Sequence, residues 1–115
     1  MRNNAGDLAN LERAAIFLTE RLARLGAGAL ASRELVSVLL GTGARGTSVL
    51  GLADELLGSG LHALASRSLP ELERTRGLGR AKASRLLAAL ELGARLASDP
   101  GGSSRALDSP EAVGR

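Results

Sequence analysis

Gly77-Leu78-Gly79 opens an apolar-periodic segment, and Arg80, Lys82 and Arg85 follow it within two helical turns. Glycines at the mouth of a helix leave backbone amides bare. The helix N-terminus adds a partial positive charge, so the pattern suits an anion such as phosphate. Arg74 and Arg76 stand just before the turn. Cations in a first turn oppose the helix dipole, a small local cost that a facing polyanion would offset. Gly41-Thr42-Gly43 is a second turn of the same kind, with Arg45, Thr47 and Ser48 beside it. The plainer alternative is a glycine turn that joins two packed helices under a solvated basic face. The doubling of the motif and the local arginines favour phosphate. A dinucleotide site would need a strand before the glycines and a third glycine where Lys82 stands. A Walker-type loop is absent.

The remaining composition narrows the chemistry. The chain has 115 residues, enough for one small domain, alone or with a tail. Fifteen basic residues against twelve acidic ones give a net charge of +3, and fourteen of the fifteen are arginine. There is no cysteine and one histidine, His62, which excludes disulfides, thiolate metal sites and a histidine-rich zinc site. His62 reads as a surface residue. Phe17 is the lone aromatic, which argues against stacking platforms for single strands. Glu71, Glu73 and Glu91 read as caps and ion-pair partners, since no second catalytic group is spaced to meet them. No cofactor is implied. Leucine and alanine dominate the apolar fraction, a helical composition. No apolar run approaches a membrane span and no signal peptide is visible, so the expected location is cytoplasmic and nucleoid-associated, with no membrane partner.

These residues need helices to hold them. Leu8, Leu11, Ala15, Leu18, Leu22 and Leu25 alternate in steps of three and four, which predicts a helix over 8–25. Asp7 is its expected N-cap, after a frayed start. This seam can pack on the chain's own core or pair two chains, with Ile16 and Phe17 lying off it. Ser32 is the expected cap of a helix running to Leu40. Further helices are expected over 47–57, 61–66, 69–76 and 80–97. Ser68 and Glu71 form a capping box around Pro70. The expected apolar faces are Val49, Leu52, Ala53, Leu56 and Leu57 for one, and Ala83, Leu86, Leu87, Leu90, Ala94 and Ala97 for the last. Residues 99–115 have linker composition.

Short helix, Gly-x-Gly, longer helix thus occurs twice. The glycines align at an offset of 36. With Ala44 and Arg45 as a two-residue insertion, Val49, Leu52 and Leu56 fall on Ala83, Leu86 and Leu90.

The stretch from Leu72 through Gly77-Leu78-Gly79, Lys82 and Ala83 to Leu90 resembles a helix-hairpin-helix DNA-binding motif. Ser32-Arg-Glu-Leu-Val-Ser-Val-Leu-Leu-Gly-Thr-Gly-Ala-Arg-Gly-Thr-Ser-Val, followed by Leu52-Ala-Asp-Glu-Leu-Leu, resembles the N-terminal region of RadC-family proteins. Ala89-Leu-Glu-Leu-Gly-Ala-Arg-Leu and Ser109-Pro-Glu-Ala-Val fit that family too. The resemblance implies an all-α fold: a tandem helix-hairpin-helix bundle over 29–98, an extra N-terminal helix over 1–28, and a linker over 99–115. In the family a JAMM-type metalloprotease-like domain follows, with a His-x-His metal site. The chain stops just after Ser109-Pro110, where that domain would begin, so no enzyme activity is expected.

The expected function is phosphate-mediated, sequence-independent binding of duplex or branched DNA, which the resemblance links to repair or recombination. Gly77, Leu78 and Gly79 would offer amides to one strand. Gly41, Thr42 and Gly43 would do so for the other, beside Arg45, Thr47 and Ser48. Arg80, Lys82 and Arg85 would add charge. The competing expectation is a helical protein-interaction or homodimerisation module, built on the N-terminal helix, that positions a downstream domain.

Overall fold

A computed structural model describes the backbone of residues 3–44 and 46–103, and the side chains of 13–44 and 46–101. Six α-helices follow one another: α1 (Asn3–Leu25), α2 (Ser32–Leu40), α3 (Val49–Leu56), α4 (Leu61–Ala65), α5 (Leu69–Glu73) and α6 (Arg80–Ser98). Short 3-10 turns at Ala27–Ala29 and Pro100–Ser103 flank the set. The described residues contain no strand, only an isolated bridge between Ala44 and Thr47. The all-α class read from the sequence holds.

Helix ends depart from expectation for local reasons. α1 starts at Asn3, so Asp7 lies inside the helix rather than capping it. The cap of α2 is Ala31, not Ser32, which is already helical. Ala31 has no side-chain acceptor, and Glu34 compensates by accepting the Ala31 N–H at 2.9 Å. α3 begins two residues later than predicted because Thr47 exchanges two backbone hydrogen bonds with Ala44, each 2.9 Å. Ser48 then caps the helix, its hydroxyl accepting the Gly51 N–H at 2.9 Å. The capping box of α5 forms as read: Glu71 accepts the Ser68 N–H at 2.8 Å, and Ser68 accepts the Glu71 N–H at 3.3 Å. α5 stops at Glu73, three residues short of the expected end, where Arg74 takes the C-cap.

The core gathers Leu18 of α1, Val36 and Leu40 of α2, and Val49, Leu52, Ala53 and Leu56 of α3. Leu64, Leu72 and Leu78 join them, with Ala83 and Leu86 of α6. α2 packs along α3 and also meets α1 and α6. Ser37 is fully buried where α2 meets α3, and its hydroxyl donates to the Arg33 carbonyl at 2.8 Å. This local bond satisfies the hydroxyl and lets a small side chain sit at the crossing. On the outer edge Arg33 grips Asp54 with two hydrogen bonds of 2.7 Å. Both side chains are about half exposed, so the pair orients the two helices more than it stabilises them.

The α6 face runs out early. Leu87 and Leu90 are half-buried, but every residue from Glu91 to the helix end is exposed, including Ala94 and Ala97. On α1, Leu18 is buried and Ala15 and Leu22 half-buried, whereas Leu25 is 50 % exposed. The side chains of Leu8 and Leu11 lie outside the described residues. Val49, Leu52 and Leu56 are buried, and their counterparts Ala83 and Leu86 are buried with Leu90 half-buried.

Candidate nucleic-acid interface

The two glycine turns lie against each other. Gly77 has φ +90°, and a Cβ added there would collide with the Cβ of Ala44 and reach Leu52. Gly41 occupies the equivalent place in the first turn and also has positive φ, +81°. The first glycine of each turn is therefore a chain-reversal residue that L side chains rarely tolerate.

The second glycines differ from each other. Gly43 is walled in: a Cβ would strike the Thr47 carbonyl and the backbone of Ser48 and Val49. Gly79 has φ −77° and ψ −179°, ordinary extended backbone, with nothing within 4 Å of a Cβ. Gly79 is the N-cap of α6 and has no side chain to satisfy the helix amides. The first-turn N–H groups of any α-helix lack an intrahelical acceptor. At α3 the Ser48 hydroxyl takes one of them; at α6 no side chain does. The second turn thus leaves its helix amides without a side-chain acceptor, and the first is largely self-satisfied. Ser48 is exposed and Thr47 half-buried. Arg45 lies outside the described residues.

Leu78 departs from the role expected of it. Its side chain is in the core, 2 % exposed, and its N–H donates to the Thr75 carbonyl at 2.9 Å. It fixes the turn and has no amide left to offer. The apolar residue between the glycines serves packing.

The charges around the second turn divide into two groups. Arg80 reaches across the turn to Glu73 at 2.9 Å, which stitches the end of α5 to the start of α6. That hydrogen bond, and then the carboxylate charge, hold its guanidinium above the usual arginine value. Arg74, Arg76 and Arg85 are exposed and make no ion pair among the described residues. Lys82 is half-buried and turns toward the first glycine turn. Its ammonium donates to the Thr42 carbonyl at 2.8 Å, to the Thr42 hydroxyl at 3.0 Å and, more weakly, to the Gly43 carbonyl at 3.4 Å. Burial, and then the neighbouring Arg85 charge, push Lys82 below the usual lysine value. Spacing along the chain could not show this contact, because its partners lie about forty residues away. The one sequence signal was that Lys82 is the lone lysine among fourteen arginines.

Among the described residues no group of three His, Cys, Asp or Glu could hold a metal ion. No described helix is long and apolar enough to cross a membrane.

Comparison with known proteins places this arrangement. The sequence model of the UPF0758 N-terminal family matches residues 18–84, which include both glycine turns and the Lys82 contact. A UPF0758 protein of Desulfitobacterium hafniense is 50 % identical over 84 residues, covering 70 % of this chain and 37 % of that protein. One from Chloroflexus aurantiacus is 51 % identical over 80 residues, 68 % of this chain and 35 % of the relative. A Bacillus cereus relative is 51 % identical over 79 residues, again covering 35 % of its length. The chain thus spans a little over a third of the length of these relatives. No solved structure matches. The RadC-family resemblance read from the Leu-Leu-Gly-Thr-Gly-x-Arg-Gly string agrees with these matches, and the chain belongs to the UPF0758 family.

Proposed function

We propose that this chain is a binding module for duplex or branched DNA. It grips phosphates at its two glycine turns, in a tandem helix-hairpin-helix arrangement, and reads no base sequence. One observation carries the reading: the uncapped N-terminus of α6 lies open beneath Gly79. Arg74 and Arg76 just before the turn and Arg85 in the second turn of α6 are exposed and make no ion pair among the described residues. Exposed amides at a helix N-terminus and mobile cations together suit a phosphate. The open second turn would take one strand, and the first turn packed against it would lie toward the other strand that flanks the groove. The first turn would contribute less, through the backbone amides of Thr42 and Gly43, because Gly41, Thr47 and the Ser48 hydroxyl already have partners within the protein. Contacts confined to phosphates position a protein without specifying sequence. In the longer relatives the module would deliver the rest of the chain to DNA, in repair or recombination. The salt dependence of a band shift tests this. Binding should weaken steeply between low and moderate salt, with a log–log slope of about −0.9 per phosphate engaged. Affinity unchanged by salt would contradict it.

A second reading, an apolar protein-interaction or dimerisation module, is favoured by one feature. Ile16 and Phe17 on α1 are 59 % and 60 % exposed, and Leu92 and Leu96 on α6 are 66 % and 69 % exposed. Sedimentation at rising concentration distinguishes it. Self-association that survives high salt and is lost in Phe17→Ser would favour this reading.

A further inference from the structure

We infer that Lys82 is a positioning residue: its ammonium clamps the second glycine turn to the first and fixes the distance between them, instead of touching a phosphate. This inference deepens the DNA reading, and the geometry behind it stands independently of that reading. An ammonium carries three N–H donors and no acceptor. Around Lys82 Nζ there are three acceptors, the Thr42 carbonyl, the Thr42 hydroxyl and the Gly43 carbonyl. The three donors thus have three acceptors within reach, the third only weakly at 3.4 Å, and all three acceptors belong to the other turn.

The choice of lysine fits this role. The acceptors come from two adjacent residues and converge on one nitrogen, which suits a compact ammonium with tetrahedral donors. A planar guanidinium spreads its donors in a fork and suits phosphate or carboxylate. The chain uses arginine at every other basic position, including all those facing solvent near the turn. The contact at Gly77 adds the second half of the clamp. Gly77 seats against Ala44, immediately after the Gly43 carbonyl that Lys82 approaches. The two turns are thus held at two points, one polar and one steric, and move as one piece. A ligand that spans both turns would meet them at a preset separation, which lowers the ordering cost of binding.

The test compares Lys82→Met, Lys82→Arg and the milder Thr42→Val, each first checked for wild-type helical circular dichroism. In the free protein, backbone amide resonances of Gly41 to Ala44 should shift in both lysine variants, and less in Thr42→Val. Unmoved resonances in folded Lys82→Met would overturn the clamp, whatever the protein binds. With duplex DNA, a lone phosphate contact would make the salt slope shallower by about 0.9 in Lys82→Met, and Lys82→Arg would restore it. The clamp predicts a loss of at least about twice that slope, with no rescue by arginine. Full rescue by Lys82→Arg would assign the charge, and not the clamp, as what matters. If the wild-type protein binds no DNA, the DNA reading falls, and the amide shifts alone decide the clamp.

Discussion

Gly77 backs onto Ala44 so closely that the two turns leave no room for a methyl group between them. The same residue has φ +90°. Gly77→Ala therefore carries two costs, backbone strain and a clash with Ala44. Together they should destabilise the fold by about 2 kcal/mol or more. Adding Ala44→Gly should return only the steric part. Urea denaturation of the single and double variants checks this; a double variant that gains nothing would show that the turns are not in contact.

Leu18 anchors α1 and Phe17 does not. Leu18 is 2 % exposed within the core cluster, whereas its neighbour Phe17 is 60 % exposed. Leu18→Ala should cost about 2–5 kcal/mol. Phe17→Ser should cost far less, within about 0.5 kcal/mol, since Phe17 is mostly exposed and lies outside the core cluster. Chemical denaturation midpoints separate the two; equal losses would mean that α1 buries both faces.

Acid should weaken the fold through two carboxylates. Hydrogen bonds from the Ser68 backbone and hydroxyl hold Glu71 below its usual 4.5, and the Arg33 hydrogen bond holds Asp54 below its usual 3.8. A carboxyl that binds its proton less readily when folded stabilises the native state above its ordinary value. That contribution is lost as the pH falls through the lowered one. The melting temperature should drop on acidification across and below those usual values. In Glu71→Gln combined with Asp54→Asn the drop should be smaller, as thermal melts across the acid range would reveal. An unchanged profile would mean that neither carboxylate matters to folding.

Much of this was legible in the sequence. Six helical segments, the Ser68–Glu71 box and the apolar faces of α3 and the first half of α6 follow from periodicity and capping chemistry alone. The misread ends have local causes. Asp7 and Ser32 are good caps, yet the helices continue through them, and at Ala31 the Glu34 carboxylate does the capping instead. α6 keeps its apolar spacing past Leu90, but among the described residues nothing buries Ala94 or Ala97. Within the site, spacing revealed both glycine turns but not their inequality. That Gly79 is open while Gly43 is walled in depends on the Ala44–Thr47 pairing in the longer first loop. The inward turn of Lys82 depends on how the two halves pack, which composition and spacing do not encode.

Gly79→Val closes the open start of α6 without straining the backbone. Gly79 has negative φ and open space around it, so valine there should leave the helical signal and the melting temperature close to wild type. The side chain would stand over the uncapped amides of α6 and keep a phosphate from approaching them. In a band shift on duplex DNA at low salt, the variant should lose most binding, for every DNA sequence alike. A folded Gly79→Val protein that binds DNA as tightly as wild type would show that the second glycine turn serves the fold alone and holds no phosphate.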